Sequence, residues 1–445
     1  MSRRVPAPSG KAIFPVLPRG RRVMSPDKVA LHQRARLQGA MVAAVAQSGY
    51  AETTIKQLVS LAGVSRTTFY KHFADKEQCF LSTYDVIATM ATERISRAYR
   101  EPTSWRERLL AGFKYFAEIV VIERDAAHLV LVDALGAGHR VLEHRDRMIG
   151  AFELMFRQSF HDAPRQAVVT DTTIRGIVSG IRRVAYRRLL RDEPEKLGDV
   201  IEDLLTWAIG YHVPRIDPPL RPPITITEDP PRLHQTLKDS IIPPLDPVHA
   251  RATYTHRERI LHAVVSLASE GGYPALSIPA ISARAGISNE AFYEHFTDKQ
   301  DAFLTVFRET TKRALAPVSQ AFQAAPTWPR AVHDSLTAVL EFIAGEPIFA
   351  RLAFFEILTG GPAAIDLAER RLDAFSVMFQ PGHEQHPEVP LVVSEAIIGG
   401  LWNVIQYEIG HGRAAQLPQL APELVYLTLA PFLGARKAAA VAKSS

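Results

Sequence analysis

Shifted by 223 residues, the 445-residue chain aligns with itself without a gap. Gly49–Asp85 (GYAETTIKQLVSLAGVSRTTFYKHFADKEQCFLSTYD) lies over Gly272–Arg308 (GYPALSIPAISARAGISNEAFYEHFTDKQDAFLTVFR), and 14 of the 37 paired positions are identical. The register continues well past that stretch: Arg34 pairs with Arg257, Trp105 with Trp328, Phe152 with Phe375, Met155 with Met378, Gly176 with Gly399 and Leu197 with Leu420. A domain written twice must fold twice. Each copy, roughly 185 residues long, is large enough to enclose a core of its own.

The chain is 47% hydrophobic and 22% charged, which is globular rather than fibrous or disordered. No apolar run approaches the roughly 20 residues that cross a bilayer, and no apolar signal core stands at the N-terminus, so a cytoplasmic protein without a membrane partner is expected. A single cysteine, Cys79, excludes an internal disulfide framework and a multi-cysteine metal site, and reads as an inert packed thiol. The net charge of +5 is compatible with nucleic acid without establishing it.

Charge and proline divide the chain. Arg3, Arg4, Lys11, Arg19, Arg21 and Arg22 stand among prolines and glycines, so residues 1–27 read as a disordered basic arm. Ten prolines between Pro214 and Pro247 exclude long helices there, and residues 214–250 read as a linker. Residues 436–445 read as a frayed tail. Between these segments the apolar spacing is helical throughout. In the first helix of each copy, Leu37, Met41, Ala44 and Val45 match Ile260, Val264, Leu267 and Ala268, one buried stripe apiece. Thr54 with Gln57 predicts a capping box on a second helix that buries Ile55, Leu58, Val59 and Ala62. Ser277 keeps the cap but loses the box to Ala280. Gly63 and Gly286 end this helix where a left-handed residue is needed, and Ser65 and Ser288 cap the next. That third helix turns Phe69 and Phe73, or Phe292 and Phe296, inward, leaving Arg66, Thr67, Thr68, Lys71 and His72 outward. Two helices joined by a glycine turn, the second presenting polar residues, have the geometry of a helix-turn-helix that enters a DNA major groove, although such helix pairs are also common in helical cores.

The string Phe-Tyr-x-His-Phe-x-x-Lys, at Phe69–Lys76 and again at Phe292–Lys299, resembles the TetR family of bacterial transcriptional regulators. The resemblance covers about the first 50 residues of each copy at motif level. It implies an all-α fold: two tandem repeats, each a three-helix DNA-binding head, a connecting fourth helix and a helical ligand-binding body, with the last two helices of each body forming a two-fold dimer. Heads are accordingly placed at 28–85 and 251–308, and bodies at 86–213 and 309–435. The DNA-facing set is Thr54, Ser65, Arg66, Thr67, Thr68, Tyr70, Lys71, His72 and Lys76 in the first copy, and Ser288, Asn289, Tyr293, His295 and Lys299 in the second. By the resemblance Arg66, Thr67 and Thr68 reach base edges while Tyr70, His72 and Lys76 hold phosphates, and the side chains suit those roles: arginine pairs bidentately with guanine, and threonine bonds bases or touches the thymine methyl. The alternatives are that Tyr70 packs against the head and that His72 is a solvated surface residue.

In the bodies Phe113, Phe116, Phe152, Met155 and Phe156, with Phe342, Phe354, Phe375 and Met378, are candidates to line a cavity for a small hydrophobic effector, although most such residues are core. Ile174, Ile177, Val178 and Ile181, with Leu197, Val200, Ile201 and Leu204, form two amphipathic stripes repeated at Ile397, Leu401, Val404 and Leu420, Leu424, Leu427; Gly176 and Gly399 permit close helix approach. These pairs can join within one chain as a pseudo-dimer, or between chains as a homodimer. Enzyme signals are weak. Gly136 and Gly138 form an isolated GxG, and His383 and His386 lack a third metal ligand, so no cofactor and no metal is expected. The resulting expectation is a cytoplasmic transcriptional regulator, read as a repressor, whose partner is a double-stranded DNA operator. A helical binding protein with vestigial heads is the alternative.

The heads differ in charge. Over residues 28–76, seven basic residues face Glu52 and Asp75, a net of +5; over the aligned 251–299, Arg251, Arg257, Arg259, Arg284 and Lys299 face Glu258, Glu270, Glu290, Glu294 and Asp298, a net of zero. The exchange concentrates on the third helix, where Arg66 becomes Asn289, Thr67 becomes Glu290, Thr68 becomes Ala291 and Lys71 becomes Glu294. The first head is therefore expected to dominate DNA affinity.

Overall fold

The computed structural model describes residues 25–138, 140–163, 169–211 and 254–444. The basic arm up to residue 24, the linker 214–250, Arg251 and His139 lie outside the described residues. Every regular element among those described is helical. In the first copy these are α1 (Pro26–Glu52), α2 (Ile55–Ala62), α3 (Arg66–His72), α4 (Lys76–Arg100), α5 (Trp105–Ile122), α6 (Arg124–Leu131), α7 (Arg140–Asp162), α8 (Asp171–Leu190) and α9 (Ile201–Ile209). The second copy repeats them as α10 (His256–Gly271), α11 (Ile278–Ala285), α12 (Asn289–Tyr293), α13 (Lys299–Ala324) and α14 (Trp328–Gly345). Then come α15 (Pro347–Arg351), α16 (Pro362–Ala374), α17 (Leu391–Gly410), α18 (Ala421–Leu433) and α19 (Ala435–Lys443).

The chain forms two compact units. The first takes residues up to 103, 110–151 and 185–199; the second takes 104–109, 152–184 and everything from 200 onward. In the first unit α1 buries Leu37, Met41, Ala44 and Val45 against its neighbours, which is the stripe its spacing predicts. Gly49 at φ 74° and its counterpart Gly272 at φ 73° end the straight run of α1 and α10 at one aligned position, a conformation glycine reaches without strain. In α2, Leu58 and Ala62 are buried while Ile55 and Val59 are only half-buried, so its apolar face is narrower than expected. The Cys79 thiol, fully enclosed on α4, is pushed up to about 12 by burial. Tyr84 is buried on the same helix, and beside it Asp85 accepts from His144 on α7 at 2.6 Å, fastening α4 to the body.

The second unit holds the last helices of the first copy together with the described part of the second copy. Helices α8 and α9 pack here on α17 and α18. The buried Tyr211 hydroxyl donates to the Leu427 carbonyl at 2.6 Å and accepts from Trp207 Nε1 at 2.8 Å; Ser179 Oγ donates to Asn403 Oδ1 at 2.7 Å; Arg183 pairs with Glu369 at 2.5 Å. Gly176 and Gly399 both lie at close approaches, against Leu427 and Arg183. A helical run continues past α15 through a π turn at Leu352–Glu356, and the Glu356 carboxylate accepts from the Tyr273 amide at 3.0 Å beside Gly272, tying this body to its head.

The expected frayed tail is a correction. Ala435–Lys443 forms helix α19, with Ala438, Ala439 and Ala442 buried. Alanine has the strongest helix propensity, and Gly434 at φ 74° lets the chain turn back so that the small alanine face packs closely on the preceding helix.

Candidate nucleic-acid interface

Local chemistry sets each reading helix in place. The Thr54 hydroxyl accepts from the Gln57 amide at 3.3 Å and the Gln57 side chain accepts from the Thr54 amide at 3.4 Å, completing the box that starts α2. Gly63, left-handed at φ 58°, ends α2, and Arg36 donates to its carbonyl at 3.1 Å. Ser65 then starts α3 by accepting from the Thr68 amide at 3.0 Å. Phe69 and Phe73 are buried beneath α3, each such ring contributing about 1.5–3 kcal/mol of burial. With those two rings down, Arg66, Thr67, Tyr70 and Lys71 are exposed, and Thr68 and His72 partly so. Arg66 lies over the Tyr70 ring at 5.7 Å, with a guanidinium nitrogen 3.4 Å from the phenol oxygen. Tyr70, 47% exposed, therefore belongs to the outer surface and not to the core.

In the first head, Lys76 and His72 sit differently from the expectation. Lys76 turns inward, donating to the carbonyls of Tyr50 at 2.9 Å and Ala51 at 3.2 Å with its ammonium 4.3 Å over the Tyr50 ring; burial lowers its pKa. In this structure it clamps the end of α1 to the start of α4. His72 bonds Gln33 Oε1 through Nε2 at 3.2 Å, and burial, with Arg34 and Lys71 nearby, holds its pKa below the ordinary value of 6.5. The ring is therefore neutral near pH 7 and carries no fixed charge.

The second head repeats the scaffold. Ser277 accepts from Ala280 at 3.3 Å, Gly286 is left-handed at φ 66°, Arg259 donates to its carbonyl at 3.4 Å and Ser288 accepts from Ala291 at 3.2 Å. Phe292 and Phe296 are buried, and Lys299 donates to the Leu276 carbonyl at 2.8 Å with its ammonium 4.8 Å over Tyr273. The surface does not repeat. Helix α12 has five residues against seven in α3, and it exposes Asn289, Glu290 and Tyr293, with Glu294 and His295 exposed just beyond it. The Glu290 carboxylate is held below the usual range by its own backbone amide and by Ser288, so it is ionised near pH 7.

Ion pairs sharpen the contrast. Arg257 pairs with Glu309 at 2.7 Å, and Arg284 makes two bonds to Glu270 at 2.7 and 2.9 Å, which raise its pKa. Glu309 and Glu270 align with Val86 and Gln47, so these neutralising carboxylates exist only in the second copy. Among the described residues no ion pair involves Lys28, Lys56, Arg66 or Lys71. The sequence shows Glu270 and Glu309 as charges; which cations they cancel is visible only in the fold.

The candidate pocket residues occupy several clusters. Phe342 meets Phe349 at 5.3 Å, Phe354 stacks on Trp402 at 4.1 Å, Phe156 lies 6.0 Å from Phe160, and the Met378 carbonyl accepts from Trp328 Nε1 at 2.8 Å. Phe113 is buried in the first unit, with Phe116 half-buried on the same helix; Phe152, Met155 and Phe375 are half-buried in the second.

A family model described as bacterial regulatory proteins, tetR family, matches residues 40–83 and again residues 260–306. Both matches cover a helix-turn-helix described above. The chain carries two tetR-family helix-turn-helix domains in tandem. Among solved structures it is similar to the transcriptional regulator FadR from Bacillus subtilis, crystallised in complex with stearoyl-CoA, at 14% identity and a TM-score of 0.36 over 40% of this chain and 97% of that one. FadR from Bacillus halodurans gives 14% and 0.37 over 40% and 95%. A TetR-like transcriptional regulator from Rhodococcus sp. RHA1 gives 18% and 0.31 over 39% and 93%. No described helix is long and apolar enough to cross a membrane, and no described group of three His, Cys, Asp or Glu side chains is placed to hold a metal.

Proposed function

We propose that this tetR-family chain is a ligand-responsive repressor that binds its operator chiefly through the first head, with the second head weak. The observation that carries the reading is the electrostatic difference between two matching scaffolds. Helix α3 offers Arg66 and Lys71 without carboxylate partners, whereas the aligned surface offers the exposed Glu290 and Glu294. Phosphate contacts supply much of protein–DNA affinity, and a carboxylate in the groove subtracts from it. Arg66, Thr67 and Thr68 are the base-reading candidates; Tyr70, Lys71 and His72 flank them toward the phosphates. Lys76 and Lys299 serve the scaffold.

In the same proposal the two bodies pair within one chain through α8, α9, α17 and α18, and a small hydrophobic effector held among the body aromatics shifts the population between head placements that fit DNA and those that do not. Operator fragments selected from genomic DNA, followed by gel shifts of single variants, test the proposal. Arg66→Ala is expected to lose about 1–3 kcal/mol of binding and Asn289→Ala little. Equal losses contradict the dominance of the first head, and no selected sequence at all contradicts the regulator.

A further inference from the structure

Helices α8 and α17 cross on glycines whose aligned partners are not glycine. A methyl group added at Gly400 would lie 2.5 Å from the carbonyl oxygen of Gly176, and one added at Gly180 would fall on the carbonyl oxygen of Ala396 and 2.7 Å from the Trp207 ring. Backbone cannot yield as a flexible side chain can, so both positions require glycine in this docking. In the 223-residue register Gly400 aligns with Ile177, and Gly180 aligns with Asn403. Each copy thus supplies one of the two necessary glycines and a branched or amide side chain in place of the other.

We infer that this crossing selects the pairing of unlike copies and rejects the pairing of like ones; the inference rests on the pseudo-dimer proposed above. Two first-copy bodies docked in the same way would set Ile177 against the Gly176 backbone. Two second-copy bodies would set Asn403 against the Ala396 backbone. The polar contacts run in the same direction. Asn403 accepts from Ser179 at 2.7 Å, both side chains being buried, and the residues aligned with them are Gly180 and Trp402. Like pairing therefore leaves Ser179 facing a glycine, or Asn403 facing an indole, and a buried polar group without its partner is costly. Arg183, which pairs with Glu369, aligns with Gln406, which instead donates to the Phe354 carbonyl at 2.6 Å; two second-copy bodies would leave Glu369 without a cation. Steric exclusion and lost polar contacts act together, as specificity among similar partners requires. The surface that the second copy offers to α8 is fitted to the first copy of this chain and not to another second copy.

The test begins with the full-length protein carrying a protease site in the 214–250 linker. It is cut while folded, unfolded in urea, refolded and weighed by native mass spectrometry, where the two fragments are distinguished by mass. One N-terminal fragment bound to one C-terminal fragment is the expected species. Pairs of like fragments in statistical proportion overturn the inference while leaving pairing through these helices standing. Single fragments alone, already separated before urea, overturn the pseudo-dimer and the inference with it. A second measurement on the intact chain does not depend on refolding. Gly400→Ile and Gly180→Asn are each expected to lower the thermal midpoint by about 5 °C or more, an overpacking effect, whereas Gly345→Ala, where nothing lies within 4 Å of the added methyl, leaves it within about 2 °C. Unchanged midpoints in both crossing variants contradict the close approach on which the selection depends.

Discussion

In the first head Lys76 reaches back to the carbonyl of Tyr50, and in the second Lys299 reaches back to that of Leu276, each ammonium lying over the tyrosine that follows the turn glycine. A few residues away the likeness ends, for Lys71 is solvent-exposed where the second head exposes Glu294. The same division holds throughout. Caps at Ser65 and Ser288, left-handed glycines at 63 and 286 and buried Phe69 and Phe292 are shared because any helix-turn-helix needs them to form. The outward residues are free of that constraint, and there alone the charge changes sign. A duplicated domain can thus keep its scaffold while the charge of its outward surface changes.

Writing the second surface into the first head is the severest way to break this comparison. Arg66→Asn, Thr67→Glu, Thr68→Ala and Lys71→Glu together should leave the fold intact by circular dichroism and reduce operator affinity to the non-specific level, about 10³-fold or more in gel shifts. The reciprocal exchange in the second head should raise affinity for an operator with paired half-sites. Smaller in effect is Lys71→Ala, expected to weaken binding to all sequences alike and to reduce the slope of log affinity against log salt by about 1, with Glu294→Ala leaving that slope no shallower. Smallest is the pair Lys76→Met and Lys299→Met. Both should destabilise the protein by about 1 kcal/mol in urea unfolding, the net value of a lost hydrogen bond to backbone carbonyls. A large loss of DNA affinity for Lys76→Met at unchanged stability would return that residue to the phosphate-binding set.

The all-α tandem architecture was legible because duplication, helical spacing and turn chemistry all point to one answer. Outward exposure of Arg66 and Thr67 follows from Phe69 and Phe73 being four residues apart, a purely local inference. Long-range partners were not legible in this way. Lys76 has the chemistry to hold a phosphate, and only the path of α1 brings the Tyr50 carbonyl within its reach. Glu270 and Glu309 enter a net charge from composition, yet their cancellation of Arg284 and Arg257 depends on how α10, α11 and α13 meet. Gly176 and Gly399 are recognisable in the sequence because they align with each other, whereas Gly180 and Gly400 align with Asn403 and Ile177 and give no such signal. The alanine-rich tail carries too few large apolar residues to signal burial, because a small face needs a close neighbour and that neighbour is set by tertiary packing.

Hydroxyl-radical footprinting of the full-length protein on its selected operator tests the unequal heads most directly. One strongly protected half-site that disappears with Arg66→Ala is expected, accompanied by weak or no protection one helical turn away. Two half-sites protected equally, about 10 base pairs from centre to centre and both persisting until either head is altered, would contradict it.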